Sequence, residues 1–132
     1  MLKKITVRSK QRDELIDITK EVMSMVKESK VRSGICFVYT PHTTAGVTIN
    51  ENADPSVKAD IISELNRLIP LSDRFTHSEG NSDAHVKASL IGSSVNVIIQ
   101  DGSLVLGTWQ DIYFCEFDGS RTRTLYIKII SG

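Results

Sequence analysis

The chain holds three histidines in 132 residues, and two of them bracket a nine-residue stretch, HSEGNSDAH at 77–85. The third, His42, stands in YTPHTTAG, just after an apolar run. Imidazole is the commonest protein ligand for transition metals, and catalytic zinc is held by three protein ligands beside an open position. None of the three belongs to an HExxH or zinc-finger spacing, so a shared site requires the fold to bring His42 to His77 and His85. Without that convergence they are polar histidines satisfied by ordinary hydrogen bonds. Glu79 and Asp83, close to the paired histidines in sequence, are placed to orient an imidazole or to stand solvated in a loop.

Other residue types add acid–base and anion-binding chemistry. Glu51 ends GVTINE without an evident structural duty, which makes it a candidate general base or a neighbour of a metal ligand. Asp54, before Pro55, is explained as a helix cap. In EFDGSRTR, Arg121 and Arg123 are two residues apart; on one strand they point the same way and form a fork for phosphate or carboxylate. Thr43, Thr44 and the amides of Ala45-Gly46 add hydroxyl and main-chain donors. The competing reading is an Arg/Asp/Glu network closing a hairpin. Gln110 can hydrogen-bond a substrate, while Trp109 beside it belongs in a core or a subunit contact.

These residues need elements to position them. Leu2 to Val7 reads as a strand, LIDI as a second, and a short amphipathic helix follows Thr19, its expected N-cap. GICFVYT and GVTIN read as strands. Asp54 and Pro55 open a helix whose stripe of Val57, Ile61, Leu65 and Leu68 is expected in the core, and Pro70 stops it. A shorter helix runs through NSDAHVKASLIG, capped by Asn81 or Ser82 and ended by Gly92. SVNVIIQ and SLVLGT flank Asp101-Gly102 as a hairpin, and DIYFCEF leads through DGSR into RTLYIKII as another. This order, without strict βαβ alternation, predicts a single α+β domain over 1–132. It is a sandwich with a mostly antiparallel sheet packed by two or three helices.

Composition narrows the partners. Sixteen basic and sixteen acidic side chains cancel, which gives no bulk charge for nucleic acid or an anionic membrane. Between residues 42 and 118, eleven acids face four Lys/Arg, a balance that tolerates a bound cation. No apolar run is long enough to span a membrane, and MLKKITVRSK lacks the apolar stretch of a signal peptide, so a cytoplasmic location is expected. Cys36 and Cys115 sit in apolar runs and read as buried thiols in a reducing compartment.

PHTTAGVTINENADPSVKAD, HSEGNSDAHVKASLIG and DGSLVLGTWQDIYFCEFDGSRTR, in that order, resemble the YjbQ-like family, an uncharacterised family known also as secondary thiamine-phosphate synthase. HTTA with INE and DP, GN-x-x-AH, and LGTWQ with EFDG-x-R-x-R are jointly specific, and the match covers essentially the whole chain. The resemblance implies a compact α+β subunit, a homotrimer, and a site near the subunit boundary able to hold a divalent metal. Carried onto this sequence, it implies His42, His77 and His85 as metal ligands. Glu51, Asn81 and Asp54 are their neighbours, and Arg121 and Arg123 form the anion fork. The implied reaction joins an aminopyrimidine diphosphate to a thiazole phosphate and expels pyrophosphate. Glu51, Asn81 and Arg121 would be catalytic, with Thr43, Thr44, Gln110, Arg121 and Arg123 holding the phosphorylated substrate. Three imidazoles suit Zn²⁺, whereas Mg²⁺ assisting pyrophosphate departure prefers oxygen ligands. A metal-dependent hydrolase, with Glu51 moving the proton, and a non-catalytic trimeric phospho-ligand binder are the alternatives.

Overall fold

The run IYFCEF is apolar at nearly every position because the strand it forms is covered on both sides. In the computed structural model, which describes residues 2–72 and 75–132, Ile112 and Phe114 enter one apolar core, and Tyr113, Cys115 and Phe117 enter a second. Alternation along a strand sends neighbours to opposite faces, so a central strand between two packed layers must be apolar on both.

The strands are β1 (Leu2–Arg8), β2 (Glu14–Asp17), β3 (Gly34–Tyr39), β4 (Ala45–Glu51), β5 (Ser94–Gln100), β6 (Ser103–Leu104), β7 (Gln110–Glu116) and β8 (Thr122–Ser131). The helices are α1 (Thr19–Ser29), α2 (Pro55–Leu68) and α3 (Ser82–Ile91). The strands form two antiparallel sheets, a five-stranded one in the order β1-β8-β3-β5-β6 and a three-stranded one in the order β2-β7-β4. The main core fills the gap between the sheets, where Val38, Ile99, Leu125 and Ile127 meet Val47, Ile112 and Phe114, with Val22 and Val26 of α1 packed in. Leu65 of α2 and Ala84 and Ala88 of α3 pack with Tyr113 and Cys115 on the other face of the small sheet. The α+β expectation holds, with two sheets where one was expected.

Several local expectations are corrected. β7 and β8 are not a hairpin: they lie in different sheets, so the DGSR turn carries the chain from one layer to the other. Thr19 is the first residue of α1 rather than its cap; Asp17 Oδ1 accepts from its N–H at 2.9 Å and its hydroxyl at 2.6 Å. Of the α2 stripe only Leu65 is buried, and Leu68 is exposed, because the helix lies over the sheet margin. Asp54 does cap α2, accepting from Ser56 N–H at 2.9 Å. Asp101 and Gly102 have φ of 53° and 77°, the paired positive values of a tight hairpin turn. No helix among the described residues is long and apolar enough to cross a membrane.

The outer face of the five-stranded sheet is unusual for a solvated surface. Ile35 lies between Ile130 and Ile98, and Phe37 and Tyr39 continue the row on β3. All five of these side chains are exposed. An antiparallel sheet facing water normally presents polar residues there.

Candidate functional site

His42 reaches its position because β3 stops. The β3–β8 ladder ends at the Tyr39–Tyr126 pair, and Pro41 then turns the chain toward β4. The His42 side chain takes over where the ladder leaves off: its Nε2 accepts the Thr124 N–H of β8 at 2.9 Å. Burial lowers the His42 pKa below 6.5, with the positive charges of Arg123 and Arg121 adding and Glu116 opposing.

His85 comes from the second turn of α3, whose N-cap position is held by Asn81. It lines one cleft with His42, about 500 Å³ in volume, walled by Tyr39, Thr40, Thr43, Ser89 and Ser93. No Asp or Glu is among the described residues lining it. On its other side His85 meets His77, with ring centroids 5.4 Å apart and planes near perpendicular. His77 Nε2 lies 3.6 Å from Glu79 Oε2 in the exposed loop. His85 thus touches both neighbours' surroundings, His42 across the cleft and His77 edge-on.

The zinc ion that the resemblance implies needs a free lone pair from each imidazole. A neutral imidazole has one lone pair on its ring nitrogens, and that of His42 is spent on the Thr124 N–H. Among the described residues no group of three or more His, Cys, Asp or Glu is arranged to hold a metal ion. As placed in a single chain, His42, His77 and His85 do not fit a zinc centre.

The arginine fork does not form either. Arg121 precedes β8 and is exposed, donating from Nε to the Asp118 carbonyl and from NH2 to Asp118 Oδ2, both at 3.0 Å. Arg123 follows the inward parity of β8 and is 2% exposed, bonded to Glu116 and to Thr44 Oγ1. Thr44 is buried with it, so neither faces a ligand, while Thr43 remains on the cleft. Asn81 donates from Nδ2 to Asp118 Oδ2 at 2.9 Å, and its Oδ1 is buried without a partner among the described residues.

Glu51 and Gln110 belong to a different place. They pair at the far end of β4, about 20 Å from the histidine end at the usual rise per strand residue. Gln110 Oε1 accepts the Gly107 N–H at 2.8 Å, which holds the turn carrying Trp109. Trp109 is 63% exposed and so is no part of this chain's core. Nearby, Asn52 Nδ2 bridges Asp17 and Asp111 at 2.9 and 2.8 Å.

Sequence reasoning missed the cluster that fixes α3. Lys87 is fully buried, with Nζ bonded to Asp83 Oδ2 at 3.1 Å, Asp13 Oδ1 at 3.2 Å and Asn66 Oδ1. Arg12 forks onto Asp83 at 2.8 and 2.9 Å. Asp83 therefore orients no imidazole. The four-residue spacing of Asp83 and Lys87 was the available signal for this pair.

Fold and site together define an α+β protein of two antiparallel sheets with a histidine-bearing cleft beside α3. The chain belongs to the UPF0047 YjbQ-like family, whose model matches residues 3–132. It is 59% identical to UPF0047 protein MJ1081 of Methanocaldococcus jannaschii over 98% of this chain and 94% of that one. Its identity to UPF0047 protein YugU of Bacillus subtilis is 52%, over 98% of this chain and 99% of the relative. The crystal structure of an uncharacterised family member from Clostridium acetobutylicum matches with a TM-score of 0.95 at 52% identity, covering 96% of this chain and 98% of that one. A protein of unknown function from Sulfolobus solfataricus, at 30% identity, gives a TM-score of 0.96 over 100% of this chain and 97% of its own.

Proposed function

We propose that this protein is an enzyme that binds a phosphorylated small molecule in the cleft between His42 and His85. The observation that carries this reading is the cleft's composition: two imidazoles and the hydroxyls of Tyr39, Thr40, Thr43, Ser89 and Ser93, with no carboxylate among the described lining residues. Such a wall donates hydrogen bonds to oxyanions and, without carboxylates, offers little to a hard cation such as Mg²⁺.

The reaction assigned is thiamine-phosphate synthesis, as the family resemblance implies. A carbon–nitrogen bond forms between the aminopyrimidine methylene and the thiazole nitrogen, the carbon–oxygen bond to the diphosphate breaks, and pyrophosphate leaves. Negative charge grows on the leaving group, and donors fixed in place stabilise it without reorganising. Exposed Arg121 adds a cationic donor to the leaving group only if it gives up its bond to Asp118. Magnesium, where the reaction uses it, arrives on the oxygens of the diphosphate and needs no imidazole.

The working form is a homotrimer, which covers the apolar row of Ile35, Phe37, Tyr39, Ile98 and Ile130. Glu51 and Gln110, a strand's length from the cleft in one chain, act there only if the assembly brings them to a neighbour's cleft.

The deciding measurement is pyrophosphate release with each substrate alone and with both. Release that needs both substrates and yields thiamine phosphate supports the synthase. Release from the pyrimidine diphosphate alone replaces it with a hydrolase. Phosphate-ester binding without any product leaves a binding protein.

A further inference from the structure

Among the described residues His42 makes one hydrogen bond through its ring, and that bond settles where its proton lies. A main-chain amide can only donate, so the Thr124 N–H at 2.9 Å requires a lone pair on Nε2. The proton of the neutral ring is then on Nδ1. Among the described residues no protein acceptor takes that Nδ1–H, although His42 lines the cleft. Among the described residues nothing comparable holds His85, which is bonded to its surroundings through its main chain.

We propose that His42 is a fixed hydrogen-bond donor, its tautomer set by Thr124, and that it grips a phosphoryl oxygen of the ligand through Nδ1–H instead of binding a metal. This deepens the reading of the cleft as a phosphorylated-ligand site and rests on it. The two histidines then have different duties. His42 presents a donor that needs no rearrangement when the ligand arrives, and it cannot accept a proton at Nε2 without expelling the Thr124 amide. His85 is left as the imidazole on the cleft with no ring hydrogen bond to the described residues.

The charged groups around His42 agree with a neutral ring. Burial disfavours a charged ring first, Arg123 and Arg121 add to that, and Glu116 opposes it. A neutral donor on a cleft whose described lining holds no Asp or Glu presents no carboxylate to repel an anion.

Two measurements on the intact protein test this. Long-range ¹⁵N–¹H spectra of ring-labelled protein should show His42 with an unprotonated Nε2 and a protonated Nδ1. A protonated Nε2, an averaged tautomer, or a His42 resonance displaced by added Zn²⁺ would overturn the fixed donor. Pyrophosphate is then titrated calorimetrically with a chelator present. Wild-type protein should bind; His42→Leu should bind about tenfold more weakly or worse, as the loss of a hydrogen bond to a charged group requires. His42→Asn, which keeps an amide donor near the place of Nδ1, should recover much of the loss. Equal affinity in His42→Leu, or binding that appears only when zinc is supplied, overturns the proposal. If wild-type protein binds no pyrophosphate, the phosphoryl half fails together with the cleft's proposed function. The tautomer is judged by the spectrum alone, so the two failures are distinguishable.

Discussion

Arg123 and Glu116 face each other between the two sheets, 2% and 0% exposed at their side chains. Arg123 Nε donates to Glu116 Oε1 at 2.8 Å, and NH2 donates to Oε2 and to Thr44 Oγ1. Glu116 also accepts from the Ser9 hydroxyl at 2.7 Å and the Asp118 N–H at 3.0 Å. The pair ties β7 of one sheet to β8 of the other at the end where His42 sits. Removing one partner strands a buried charge, so Arg123→Ala should lose about 3–5 kcal/mol. Replacing both, as Arg123→Met with Glu116→Leu, should recover part of that loss. Urea midpoints of the three proteins check this, and an Arg123→Ala protein as stable as wild type would refute the assignment.

Acid should lower the protein's stability over two ranges of pH. Burial alone would raise Glu116 and Asp83, but bonds from Arg123, Asp118 and Ser9 to the first, and from Arg12 and Lys87 to the second, hold both below their ordinary values. Their stabilisation is full above the unfolded values of 4.5 and 3.8 and disappears as pH falls through the lower folded values. His42 acts earlier. Its folded pKa lies below 6.5, so the unfolded chain binds the extra proton first and stability declines as pH drops below 6.5. Denaturation midpoints against pH should show both declines, and His42→Asn should flatten only the upper one.

Lys87 holds α3 by a buried charge. Lys87→Ala leaves Asp83 with Arg12 alone and opens a hole beside Asn66, which predicts a loss of about 3 kcal/mol or more. Because α3 carries His85, pyrophosphate affinity should fall as well, even though Lys87 does not line the cleft. A variant with lowered stability and unchanged affinity would separate the cluster from the site.

The apolar row on the large sheet predicts assembly. Phe37→Glu with Ile98→Glu should convert a trimer into folded monomers in sedimentation equilibrium, since two charges cannot be buried unpaired in the contact. Wild-type protein that sediments as a monomer at all concentrations would remove the trimer.

Both thiols should be silent in the native state. Burial pushes Cys36 up to about 11 and Cys115 up to about 12, and no disulfide joins them. Iodoacetamide at neutral pH should label neither until denaturant is added; rapid native labelling of either would contradict the burial.

Legibility in the sequence followed the range of the interactions. Local signals were readable: the Asp54–Pro55 start of α2, the Asp101–Gly102 turn, and the alternation of GICFVY. Partition of strands between two sheets was not, because DGSR looks the same whether it closes a hairpin or crosses a core. That ambiguity undid the arginine fork, since Arg123 turns inward to a partner seven residues away while Arg121 stays outside the strand. The separation of Glu51 from His42 was legible, by contrast, because GVTIN reads as a strand and β4 runs between them. The pairing of His42 with His85 across one cleft needed the full fold, and the imidazole–amide bond to Thr124 spans 82 residues.

The contact between β4 and the end of α3 has a consequence for how this family could diversify. Val47 N–H donates to the Gly92 carbonyl at 3.0 Å, and a Cβ on Gly46 would stand 2.8 Å from that same oxygen. His42 enters just before β4 and His85 lies on α3, so the spacing of the two rings is gauged by main chain against main chain. Side chains on the cleft wall, such as Thr43 and Ser89, can be exchanged to admit a different ligand while the aperture keeps its calibre. A single methyl at position 46 would do the reverse, keeping every wall residue and spoiling the fit.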